Sequence, residues 1–102
     1  MIRHIVLVKF PASCPAETVE ALFGALDALR AVAPGMLAFS GGRNVSPEGL
    51  ARGFTHAFAV DFADAAARDA YLVHPAHQAA GARLVAAAEG GLDGLTVVDI
   101  ET

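Results

Sequence analysis

The chain has 102 residues, with 7 Lys and Arg against 11 Asp and Glu, a formal net charge of −4, and no basic cluster, which argues against nucleic acid or an anionic membrane surface as partner. It is 55% hydrophobic and only 18% charged, a balance that suits one domain over residues 1–102 which gains from oligomerising. Cys14 is the only cysteine, so no internal disulfide can form; with no signal-peptide core at the start and no apolar run near the roughly 20 residues of a membrane span, a cytoplasmic setting is expected.

Residues 2–10 alternate, with Ile2, His4, Val6, Val8 and Phe10 on one face and Arg3, Ile5, Leu7 and Lys9 on the other, the signature of a strand. Both faces are apolar at the centre, so something other than the helix layer must cover the second one, and a partner's sheet is the simplest candidate. Pro11 to Pro15 reads as a turn in which Ser13 is expected to cap a helix, with Pro15 and Glu17 in its first turn. Val19, Leu22, Phe23, Leu26 and Leu29 mark the buried face of that helix, which ends before Ala33-Pro34-Gly35. Met36 to Ser40 predicts a short strand broken by Gly41-Gly42, and Arg43 to Arg52 a polar loop; these glycines lack the strand-to-helix turn of a phosphate-binding motif. Residues 53–62 predict the third strand, with Phe54, His56, Phe58, Val60 and Phe62 opposite Thr55, Ala57, Ala59 and Asp61. Asp64 is placed to cap the next helix, another runs from Pro75 to about Glu89 before Gly90-Gly91, and Leu95 to Ile100 supplies the last strand. The order βαββαβ predicts an α+β, ferredoxin-like sandwich with a four-stranded antiparallel sheet, its first and third strands central.

Tyr71-Leu72-Val73-His74-Pro75-Ala76-His77 is the chemically richest stretch. Pro75 has no amide hydrogen and disfavours helical geometry at His74, so the chain turns a corner there. Helical spacing from His77 gives Gly81, Leu84 and Ala88, a stripe that faces the core and takes His77 with it. Gly81 costs about 1 kcal/mol relative to Ala in mid-helix, which makes sense where close packing or a cavity needs the room. Tyr71 and His77 are six residues apart, off one face of an unbroken helix, and the corner is what lets them converge. A neutral imidazole can take a proton from an acidic carbon while a phenol donates to the enolate, a division of labour that suits an aldol-type ring closure. A Tyr71 to His77 hydrogen bond that only pins the corner is the alternative.

His4 and His56 each lie near the start of their own strand of an antiparallel pair, and so fall near opposite ends of it; each is also explained by one bond to a backbone carbonyl at a sheet end. His74 and His77 offer two ligands where a metal needs roughly three or four, and no metal site is expected. Cys14 has no base in reach in the sequence and reads as a solvated thiol. Asp61, Asp64 and Asp69 read as a strand end, a cap and a solvated face.

The corner, together with Met1-Ile2-Arg3-His4-Ile5-Val6-Leu7-Val8-Lys9-Phe10 and Gly53-Phe54-Thr55-His56, resembles the stress-responsive A/B barrel (Dabb) family nearly from end to end. The resemblance implies a ferredoxin-like unit that pairs into a dimeric α/β barrel. Family functions are mixed; one plant branch cyclises a linear polyketide without metal or cofactor through residues resembling Tyr71 and His77, with histidines like His4 and His56 also at the pocket. That branch carries a second pocket tyrosine where this chain has Leu26. The expectation is a homodimer with an apolar pocket for a small aromatic or polyketide-like molecule, His77 as base, Tyr71 as hydrogen-bond donor, and no cofactor. Its other lining is expected from His4, His56, Val6, Val8, Phe23, Leu26, Phe58, Val60, Gly81 and Leu84. Two alternatives remain: a non-catalytic stress or structural dimer with a filled core, and, by analogy of fold alone, a cofactor-independent oxygenase.

Overall fold

The computed structural model describes residues 1–102. Strand β1 (Ile2–Val8) keeps the alternation of its sequence: Ile2, His4, Val6 and Val8 are buried, while Arg3, Ile5 and Leu7 are partly exposed. It lies between β3 (His56–Phe62) and β4 (Leu95–Glu101), with β2 (Met36–Arg43) on the outer side of β3; every pairing is antiparallel and the sheet order is β2-β3-β1-β4. Helices α1 (Ala16–Asp27), α2 (Ala65–Val73) and α3 (Pro75–Ala87) cover the face that carries Val6 and Val8. This is a ferredoxin-like α+β fold. No helix is long and apolar enough to cross a membrane.

The core between sheet and helices draws Val19, Leu22, Phe23 and Leu26 from α1, together with Phe58, Val60 and Phe62 from β3. α2 begins where expected, since the Asp64 side chain accepts a hydrogen bond from Ala67 N at 2.8 Å, one of the otherwise unpaired donors of a helix start. α1 begins differently. Its N-cap is Pro15, in extended geometry and without a side-chain cap, so Ser13 stays in the preceding turn, whose bond runs from Cys14 N to Pro11 O.

Two strand limits also differ from the pattern. β2 does not break at Gly41-Gly42 but continues to Arg43. Gly41 is there for Phe23: a Cβ on it would lie 2.9 Å from the Phe23 ring and 3.0 Å from Phe58 Cβ, so its bare backbone is the floor on which that ring packs. β3 starts at His56, three residues later than expected, because Gly53 takes a left-handed φ of +85° and Phe54 N turns back to Ala51 O.

The other face of the sheet carries no helix. Ile5, Leu7, Ala57 and Ala59 line its centre partly exposed, and Val98 and Ile100 on β4 are 50% and 42% exposed. At one end Arg3 makes a two-pronged bond to Asp61, at 2.7 and 3.2 Å.

Adding one methyl at Gly41 overpacks a closed aromatic contact, whereas a Cβ on Gly42 meets nothing within 4 Å. Gly41→Ala is therefore expected to cost about 1–3 kcal/mol and Gly42→Ala within about 0.5 kcal/mol of zero. Chemical denaturation of the two variants checks it; equal effects would show that Phe23 does not depend on the glycine.

Candidate functional site

The proline corner sets the site. His74 ends α2 in extended geometry (φ −66°, ψ 133°), and its Nδ1 accepts from Ala76 N at 3.0 Å, so the same residue caps α3. Across the corner, His77 Nδ1 lies 3.2 Å from Leu72 O. A carbonyl only accepts, so Nδ1 carries the proton and Nε2 is left as the basic nitrogen. Tyr71 and His77 meet ring to ring, with centroids 4.2 Å apart. They are in contact without a hydrogen bond between them, because the Tyr71 hydroxyl is buried with no partner in the protein.

Sheet register brings a second imidazole to the same place. His4 on β1 is opposite Asp99 on β4, and its Nδ1–H donates to Asp99 Oδ1 at 2.7 Å. Asp99 Oδ2 in turn accepts from Arg68 Nη1 at 2.9 Å, which ties β4 to α2. The His4 and Tyr71 ring centroids are 6.2 Å apart, and Phe62 closes the back of Tyr71 at 4.9 Å.

A cavity of about 580 Å³ lies between the sheet and the helices against this cluster, within the range typical of small-molecule sites. His4, Asp99, His77 and Gln78 are its polar wall; Val6, Leu26, Phe58, Gly81, Leu84, Val85, Leu95 and Val97 make most of the rest. The polar groups gather at one end. Along β1 and β4 the facing pairs are His4 with Asp99, Val6 with Val97 and Val8 with Leu95, so the wall grades from charged to aliphatic.

The expected site residues divide accordingly. His4, Val6, Leu26, Phe58, His77, Gly81 and Leu84 share the cavity wall. Tyr71 stands one layer behind, 1% exposed, with its ring against His77. Val8 and Val60 are wholly buried core residues. His56 is brought to a different cleft, of about 540 Å³, with Phe10, Cys14, Arg43 and Thr55, and Phe23 borders an adjoining groove beside it. The physical reason is register: His4 pairs with Val60 and His56 with Val8, so the two histidines are about 13 Å apart along the sheet. His56 Nδ1 is instead 2.8 Å from Thr55 Oγ1 and its ring packs edge-on to Phe10.

Asp99 and Arg68 were not singled out from the sequence. A signal existed for Asp99: Leu95, Val97 and Asp99 alternate onto one face, so an acid stands at an inward position of an otherwise aliphatic strand.

The electrostatics favour a neutral His77 and a neutral Tyr71 beside a charged Asp99. Burial, helped by the charges of His4 and His74, lowers the His77 pKa from 6.5 despite the Leu72 bond that favours the charged ring. Burial pushes the Tyr71 hydroxyl up to about 12, so it remains a donor. For Asp99 burial acts upward, but the bonds from His4 and Arg68 outweigh it and hold the carboxyl below its usual value of 3.8.

Comparison with known proteins adds to this geometry. The family model for the stress responsive A/B barrel domain matches residues 2–102. The stress-response A/B barrel domain-containing protein HS1 of Arabidopsis thaliana is 32% identical over 99 residues, covering 96% of this chain and 86% of that one. A dimeric ferredoxin-like protein of unknown function from Jannaschia sp. CCS1 superposes with a TM-score of 0.90 at 36% identity, covering 99% and 98% of the two chains. A hydroxynitrile lyase from Passiflora edulis reaches 0.84 at 23% identity, over 97% and 90%, a likeness of fold.

His77 holds its proton less tightly in the folded chain than in the unfolded one, and so does His56, whose pKa is lowered by burial and by Arg43. The unfolded state therefore binds more protons just below 6.5, and the stability these rings contribute is complete above that value and is lost as pH falls through it. The denaturation midpoint is expected to fall between about pH 7 and pH 5, and to fall less in His77→Gln. An undiminished fall in the variant would contradict the assignment to His77.

Proposed function

The chain belongs to the stress-responsive A/B barrel (Dabb) family, and within that frame we propose that its cavity binds a small, largely apolar molecule bearing a carbonyl group and moves a proton on it. The observation that carries this reading is the Tyr71 hydroxyl, buried without a partner against two imidazoles of the cavity wall. A buried hydroxyl left unpaired costs about 1–3 kcal/mol, a cost that a ligand oxygen accepting its hydrogen bond removes.

In this mechanism His77 Nε2 is the general base. It takes the proton from the carbon beside the carbonyl; the C–H electron pair moves into the new carbon–carbon double bond, and the carbonyl oxygen becomes an enolate. A small shift of the His77 and Tyr71 rings opens the Tyr71 hydroxyl, which stands behind His77, to that oxygen, and the hydrogen bond it donates stabilises charge only where it develops. His4 Nε2, with Nδ1–H committed to Asp99, accepts from a hydroxyl or enol of the same head group. The His77 imidazolium then returns the proton to carbon or to a leaving oxygen. In ring closure of a polyketide-like chain the enolate carbon attacks a second carbonyl of the same chain and the alkoxide formed takes the proton from the His77 imidazolium. In the reverse direction His77 takes a hydroxyl proton, the bond from the hydroxyl-bearing carbon to the α-carbon breaks to give a carbonyl and an enolate, and the enolate carbon is reprotonated. The aromatic or aliphatic body of the ligand lies against Leu26, Phe58 and Leu84.

The expected result is deuterium incorporation α to the carbonyl when the protein is incubated in D₂O with a panel of aryl ketones and β-diketones. His77→Gln is expected to lose roughly 10²–10⁴-fold in exchange rate. Tyr71→Phe is expected to exchange at least about tenfold more slowly while gaining about 1 kcal/mol of stability, since it removes the unpaired hydroxyl. Absence of both binding and exchange across the panel would sink the reading and leave a structural dimer.

The same proposal includes a homodimer. The uncovered sheet face, with Ile5, Leu7, Val98 and Ile100, is the surface a second copy would close, and the Jannaschia relative is described as dimeric. Val98→Asp would bury a charge there without a partner. It is expected to shift the protein to monomer by sedimentation analysis, and an unchanged dimer would place the contact elsewhere.

A further inference from the structure

Six of the 13 residues of α3 are alanine, yet Gly81 sits in its middle. Three reasons for a glycine can be separated. Backbone conformation is not one, since Gly81 is absent from the positions with positive φ, unlike Gly35, Gly90 and Gly91. Close packing is not one either: a Cβ built on Gly81 meets nothing within 4 Å, whereas on Gly41 or Gly94 it would strike Phe23 or Glu89 O. What remains is the cavity whose wall Gly81 forms.

Its place in the wall gives the missing side chain a meaning. Gly81 is one turn beyond His77 and one turn before Val85 on the same helix, between the polar end of the cavity and its aliphatic end at Leu84, Val85 and Leu95. We infer that Gly81 sets how long a tail the cavity accepts: a ligand whose carbonyl head lies at the polar end of the cavity, beside His4 and His77, runs its apolar chain past Gly81, through space that any side chain would take. The residue is a specificity determinant, and its assignment presupposes the apolar carbonyl ligand proposed above.

The test uses phenyl alkyl ketones, from acetophenone to octanophenone, titrated into the wild-type protein and into Gly81→Ala, Gly81→Val and Gly24→Ala, with binding followed by amide chemical shifts. Gly24 is the control, a glycine of α1 whose Cβ also meets nothing within 4 Å but which lies outside the cavity wall. Wild-type affinity is expected to rise about fourfold per methylene up to a limiting length. That limit is expected to shorten by about one carbon in Gly81→Ala and about two in Gly81→Val, with acetophenone held within about twofold in both. Gly24→Ala is expected to keep the wild-type limit, and a melting temperature about 4 °C higher in Gly81→Ala would show that the variant is folded. Ketones bound with the same limit in Gly81→Val overturn the role of Gly81 and leave the cavity reading standing. Failure of the wild-type protein to bind any ketone overturns the cavity reading, and the role of Gly81 with it.

Discussion

The broken helix at His74-Pro75 is the constraint on which the rest of the site depends. On a continuous helix Tyr71 and His77 would project in different directions. The missing amide hydrogen of Pro75 stops α2, the His74 ring caps α3 through Ala76 N, and the Leu72 carbonyl freed at the end of α2 becomes the acceptor for His77 Nδ1. One residue without a donor thus places two rings in contact and fixes which nitrogen of one of them is basic. The second imidazole arrives by a separate route, through the pairing of β1 with β4, so helix layer and sheet each supply half of the polar end.

That end is arranged against the preferences of a stable core. An aliphatic residue at position 71 or 77 would satisfy the packing around Phe62 without a buried hydroxyl or a desolvated ring. The second layer shows the same emphasis: Asp99 is held between His4 and Arg68, each bond short, and its carboxylate remains charged in a half-enclosed place. Buried polar groups with every partner supplied would suit a structural role. Here the supports of the imidazoles are satisfied and the Tyr71 hydroxyl is not, and it is on that asymmetry that the proposed ligand reading rests.

Alternation in β1 and β3, the amphipathic face of α1 and the Asp64 cap made the architecture legible, because each is a local pattern with a fixed period. The corner was legible for the same reason. The membership of the cavity was less so, since it depends on register and depth, which no local pattern carries. Val8 and Val60 share a face with Val6 and Phe58, yet they lie fully under the helices, while Val97 and Asp99 on the outer strand β4 reach the cavity because the helix layer leaves part of that strand uncovered. His56 carries the same ring as His4 and is set apart by the offset of an antiparallel pair. The Gly41-Gly42 pair misled as a breaker because what Gly41 accommodates, the Phe23 ring, comes from another element.

The chain has no tryptophan and one tyrosine, and that tyrosine is the phenol behind the cavity, in ring contact with His77. All of the intrinsic fluorescence above that of phenylalanine therefore originates at one point. Its emission registers the hydrogen bonding of a single hydroxyl and the charge of the adjacent imidazole, without averaging over distant chromophores. The fold has in effect placed its only optical reporter where any occupant of the cavity would be felt first.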